Sequence, residues 1–129
     1  ASVPSESLMV QGRTLFVPKS FKGVAVFSFK RLCMNPLGAA DYLAIARHYH
    51  TVIVVGVPKM TKEQRNEAKR FVTLVDALYE QRVKLLMAAD GPPQDLYPSG
   101  DGAFEFERTV SRLMEMQSQD YLALGHGEP

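Results

Sequence analysis

The chain has 129 residues, of which 46% are hydrophobic and 22% charged, the composition of one globular domain rather than of a disordered or repetitive chain. Fifteen Lys and Arg against fourteen Asp and Glu leave a formal charge of +1, too weak a field to collect nucleic acid, so the expected partners are proteins. The longest apolar stretch, Thr51 to Val57, falls far short of the roughly 20 residues of a transmembrane helix, and a single cysteine, Cys33, excludes an internal disulfide.

The sequence opens at Ala1, and its first seven residues carry neither an apolar run nor an Arg-rich amphipathic pattern, so no targeting signal is expected in them. Two β-like runs follow, Leu8 to Val17 and Gly23 to Phe29, separated by Pro18 to Lys22; one hairpin is the simplest expectation. In the second run both alternating faces are largely apolar, which predicts a strand covered on both sides. Asn35, Pro36, Leu37 and Gly38 break the chain, after which Tyr42, Ile45, Ala46 and Tyr49 recur at helical spacing.

Thr51 to Val57 is an unalternating, mostly β-branched run that suits an interior strand, ended by Pro58. Thr61 and Gln64 then match a capping box, and Ala68, Phe71, Val72, Val75, Leu78 and Tyr79 form an apolar stripe running to about Gln81, with Glu63, Lys69, Asp76 and Glu80 on the wet side. Val83 to Ala89 predicts a second interior strand, stopped by Asp90, Gly91, Pro92 and Pro93. An exposed loop to Ala103 and a helix over Phe106 to Leu122, with Val110, Leu113, Met114 and Tyr121 on one face, complete the order. The fold class expected is therefore α/β, a mixed sheet with an N-terminal hairpin and a right-handed parallel β-α-β unit, in the order β-β-α-β-α-β-α. Gly125 to Pro129 reads as a frayed tail.

No segment matches the phosphate-binding pattern G-x-x-x-x-G-K-[ST], whose backbone N–H groups, Lys and hydroxyl hold phosphates and magnesium. Asp90 closes a strand as a magnesium-binding acid would, but without such a loop a turn-capping role is preferred. His48 and His50 stand two apart at a helix end, where their side chains diverge and the helix dipole favours a cation; no metal site is expected there. His126 lies in the tail. Cys33 sits among apolar residues and reads as a small buried hydrophobe rather than a nucleophile, for which no paired base can be assigned. Arg108, Arg112 and Glu115 fall at i, i+4 and i+7, giving a charged ridge that is either a solvated, salt-bridged face or a phosphate contact; the first is preferred. Arg70, beside Lys69, invites the same two readings.

From about Gly12 to Leu124 the chain resembles the C-terminal part of the AFG-one-like ATPases, a family of the AAA+ class. The resemblance is carried by blocks in family order: Arg13 to Val17, Gly23 to Phe29, Leu32 to Cys33, Pro36 to Ala46, His50 to Pro58, Glu67 to Tyr79, Arg82 to Leu86 and Phe104 to Tyr121. It implies three segments, an N-terminal extension over 1–11, the family's C-terminal domain over 12–124 and a tail over 125–129. It also implies a parent P-loop ATPase that uses ATP and Mg, active in cell division in bacteria. In eukaryotes the parent is mitochondrial, associated with the inner membrane on the matrix side, and concerned with protein quality control or respiratory-chain maintenance; in bacteria it is cytoplasmic. The phosphate loop and metal-binding acid of the family lie in its N-terminal half, so this stretch is expected to bind no cofactor and to be non-catalytic alone, acting as a structural or protein-interaction subunit. The alternative is a fragment of an active, homo-oligomeric ATP hydrolase. Arg70, Arg108 and Arg112 would then meet nucleotide phosphate only in a full-length oligomer. Val55 and Gly56 depart from the family pattern, in which acidic residues are frequent at that strand end, and Lys69 replaces a frequent Arg.

Overall fold

A computed structural model describes residues 3–127. Its first two strands, β1 (Glu6–Val10) and β2 (Arg13–Val17), form an antiparallel hairpin of their own. The run from Leu8 to Val17 is thus two strands rather than one, because Gln11 and Gly12 both take positive φ (50° and 80°), the conformation of a tight two-residue hairpin turn. The same device recurs between β3 (Lys19–Phe21) and β4 (Val24–Ser28), where Lys22 and Gly23 have φ of 52° and 80°. An added Cβ on Gly23 would lie 2.5 Å from the His50 ring, so this turn tolerates no side chain there.

The main sheet has the order β3-β4-β5-β6, with β5 (Thr51–Val57) and β6 (Lys84–Ala89) parallel to β4 and β3 antiparallel at one edge. The expected α/β architecture with a parallel β-α-β unit is therefore present. Phe29 begins a helix instead of ending a strand: Ser28 accepts from the Arg31 N–H (3.0 Å) and caps α1 (Phe29–Cys33), while the Asn35 amide donates to the carbonyls of Lys30 and Arg31 at its other end. Helix α2 (Ala39–His48) returns the chain to β5.

Helix α3 (Arg65–Glu80) crosses from β5 to β6; ahead of it the Gln64 side chain accepts from the Thr61 N–H at 2.9 Å, the expected capping contact. It ends in a left-handed Arg82 (φ 58°), with Arg82 N–H donating to Tyr79 and Val83 N–H to Leu78, the paired bonds of a Schellman motif. The stretch expected to be a single helix from Phe106 splits into α4 (Ala103–Glu115) and α5 (Gln119–Leu122), the latter capped by Ser118. Met114 is accordingly exposed, and Phe106, Thr109, Leu113 and Met116 make the buried side of that region instead.

The core lies between the helices and one face of the sheet, where Ala25, Phe27, Val52 and Val54 are fully buried. Phe29, Phe71, Phe106 and Tyr97 follow one another with ring centroids 5.7 to 6.0 Å apart, joining α1, α3, α4 and the loop before α4. Leu96 and Tyr97 anchor that loop in the core, and the Tyr97 hydroxyl donates to the Asp101 carbonyl at 2.7 Å. The segment read as a frayed tail is held as far as Gly127, whose N–H donates to Gln81; the His126 ring bonds the Ala46 carbonyl at 2.7 Å. Residues 128 and 129 lie outside the described residues.

Candidate functional site

Parallel packing of α3 and α4, in which Phe71, Asp76 and Tyr79 meet Phe106, Arg112 and Glu115 in turn, brings Arg108 and Arg112 onto one carboxylate, that of Asp76. Arg112 donates to Asp76 Oδ1 at 2.5 Å and Arg108 to Oδ2 at 3.3 Å. The Arg112 guanidinium also lies 4.7 Å above the Tyr79 ring and 3.9 Å from Glu80, and Tyr79 donates to Glu115 at 2.8 Å. That hydrogen bond to a carboxylate raises the Tyr79 phenol above its ordinary pKa. The ridge is thus a network in which two guanidinium groups pair with the carboxylates of Asp76 and Glu80, and Glu115 joins through Tyr79. A phosphate approaching it would have to displace Asp76.

Arg70 does not join this network. It sits on another side of α3 and donates to the Cys33 carbonyl at 3.1 Å, satisfying the C-terminal end of α1. Cys33 itself is fully buried, and burial pushes its thiol up to about 12, so it is neither ionised nor accessible near neutral pH.

A cavity of about 500 Å³ opens between α3 and α4 beside this ridge. Val72, Tyr97 and Phe106 form its apolar body, and Arg65, Lys69 and Arg108 its cationic rim. Arg65 is paired with Asp101 at 3.0 Å and Arg108 with Asp76, and Glu105 adds a further acid to the wall. Lys69 alone of the three cations makes no ion pair among the described residues.

The histidines take structural positions. His50 bonds the Lys22 carbonyl at 2.9 Å and the Thr51 hydroxyl at 2.8 Å, locking the turn between β3 and β4. His48 lies 3.5 Å from Glu6, whose carboxyl is held below its ordinary pKa chiefly by the hydrogen bond it accepts from Tyr49. Asp90 continues the sheet through its N–H to Val57. Among the described residues no three His, Cys, Asp or Glu side chains converge on a point that would suit a metal ion.

Sequence reasoning missed three polar anchors. Asp41, only 2% exposed, accepts from the Gly38 N–H and from Arg13 at 2.7 Å, tying β2 to the start of α2. Asp76 was placed on the wet side of its helix, and Tyr121, read as an apolar face residue, donates to the Val83 carbonyl at 2.8 Å. The Gly38 contact to Asp41 spans only three residues, a local capping spacing, but no short-range pattern signals the other pairs, whose partners lie 28 to 38 residues away.

The AFG1-like ATPase family model matches residues 1–124. The chain belongs to this family. It is 40% identical over 123 residues to the cell division protein ZapE of Escherichia coli (strain K12), covering 95% of the chain and 30% of ZapE. It is 35% identical over 150 residues to lactation elevated protein 1 homolog B of Danio rerio, covering 92% of the chain and 30% of that protein. An uncharacterized protein of Schizosaccharomyces pombe is 33% identical over 145 residues, with 91% and 32% covered. The AFG1-like chain thus spans about a third of the length of the curated relatives it matches. No solved structure matches significantly. The sequence contains no phosphate-loop pattern, and the three candidate arginines each bond a partner within the chain.

Proposed function

We propose that these residues serve as a non-catalytic structural and protein-interaction module of an AFG1-like ATPase, whose ATP and magnesium chemistry is performed by other parts of the assembly. One observation carries this reading: Arg108 and Arg112 are paired with Asp76, and Arg112 also with Glu80, at the α3–α4 contact, which supports a packing role over phosphate binding. The near-neutral charge favours protein over nucleic-acid partners. The family resemblance suggests the mitochondrial matrix side of the inner membrane for a eukaryotic source and the cytoplasm for a bacterial one.

Calorimetric titration of the 129-residue chain with MgATP tests the reading. The expected result is no binding tighter than about 100 µM, equivalent to about −5.5 kcal/mol. Tighter binding, or magnesium-dependent turnover by the purified chain, overturns it. The alternative, in which the arginines contact nucleotide in a full-length oligomer, requires the Asp76 pairs to open. It is favoured if Asp76→Ala raises ATP affinity in the oligomer.

A further inference from the structure

Strands β4, β5 and β6 are parallel, and parallel strands are found with both faces covered, because the crossovers and their neighbours bury them on each side. Here the helices cover one face only. On the other, the registers align Val26, Ile53 and Leu86 in a row across the sheet, with Phe21 beside Val24 and with Val55 farther along β5. Phe21 is 59% exposed, Leu86 55% and Val55 40%, an apolar surface continuous across four strands. A patch of this kind on a sheet is a contact surface, not a solvent face.

We infer that this open face docks an apolar, acid-flanked layer contributed by the rest of an AFG1-like polypeptide. The inference rests on reading the domain as an interaction module and names what it interacts with. Two observations select the occupant. The chain matches only 30% of the length of ZapE and of the Danio rerio relative, so such a protein has more than twice this length of polypeptide available to supply the missing layer. The face also carries Lys19 and Lys84 in line with its apolar residues and no Asp or Glu in β3, β4, β5 or β6. Two copies meeting through it would bring like charges together, whereas an apolar element with flanking carboxylates would be complementary.

The test uses thiol accessibility, since native Cys33 is buried and silent. Leu86→Cys and Val55→Cys, both at exposed positions where no cavity is created, are introduced singly. Maleimide labelling is compared between the 129-residue chain and the full-length AFG1-like protein containing it. For a free-standing chain, the full-length protein is ZapE with its matching 30% exchanged for this sequence. Labelling of both thiols should slow at least about tenfold in the longer protein, as expected when access requires local opening. If either thiol labels at the isolated chain's rate, the proposal falls. The isolated chain should sediment as a monomer; a dimer dissociated by Leu86→Lys would assign the face to a second copy and equally overturn it. Failure of the labelling prediction alongside weak ATP binding removes this proposal alone, whereas tight ATP binding removes the reading of the module.

Discussion

Single residues at the joints between elements show most directly how side-chain chemistry holds this fold. Asp41 is a buried carboxylate with two donors, one from the backbone at the start of α2 and one from the half-exposed Arg13. Asp41→Ala should cost about 2–3 kcal/mol, since it strands the Gly38 N–H and removes two charge-assisted bonds. Urea denaturation measures this, and Asp41→Asn, which keeps an acceptor, should cost less. Arg82 illustrates the opposite case: a non-glycine held at φ 58° in a Schellman cap carries conformational strain. Arg82→Gly should therefore stabilise the protein by up to about 1 kcal/mol, seen as a higher thermal midpoint. A lower midpoint would show that the Arg side chain contributes more than the strain costs.

The contact between α3 and α4 is the element whose polar surface most invited a functional reading. Its two arginines should differ in energetic weight. Arg112 is 21% exposed, stacked on Tyr79 and bonded to Asp76 at 2.5 Å, whereas Arg108 is 60% exposed with a 3.3 Å contact. Double-mutant cycles should give a coupling of about 1 kcal/mol for Asp76 with Arg112 and only a few tenths for Asp76 with Arg108, which solvent screens. Equal couplings would contradict the geometry. Residues 116–122 add a second joint, because the Tyr121 hydroxyl reaches the Val83 carbonyl across the end of α3. Tyr121→Phe should lose about 1 kcal/mol without altering the fold, as read by circular dichroism and denaturation.

For the molecule as a whole, the buried acids that keep their protons set its response to alkali. Burial pushes the Cys33 thiol from about 9 up to about 12 and the Tyr121 phenol up to about 12, and it raises Tyr42 and Tyr49 as well. These groups bind protons more tightly folded than unfolded. Their contribution is complete below the unfolded pKa values and is lost as pH rises from about 9 toward 12. The thermal midpoint should accordingly fall above pH 9, and the Cys33 thiol should react with an aromatic disulfide reagent only as the protein unfolds. Rapid reaction of the native protein at pH 8 would show that the core around Cys33 opens without global unfolding.

What the sequence determined by itself were the features whose cause is local or periodic. The β-branched run at Thr51–Val57, the apolar stripe of α3 with its Thr61–Gln64 cap and the parallel crossover they imply are set by side-chain spacing within a few turns of chain. The family blocks were legible for the same reason, as they are ordered along the chain. The Gln11–Gly12 turn had a local signal as well, but it was weaker than the continuous β pattern from Leu8 to Val17 that masked it, whereas the Lys22–Gly23 turn lies at the edge of the break at Pro18 to Lys22. Tertiary structure alone decided the pairing of Asp76 with two arginines, the burial of Asp41 and the separation of Arg70 from the ridge, because each depends on which faces of distant helices meet. It also decided which side of β4 and β5 is covered: their residues are apolar on both faces, so only the placement of the helices distinguishes the core from the surface left open.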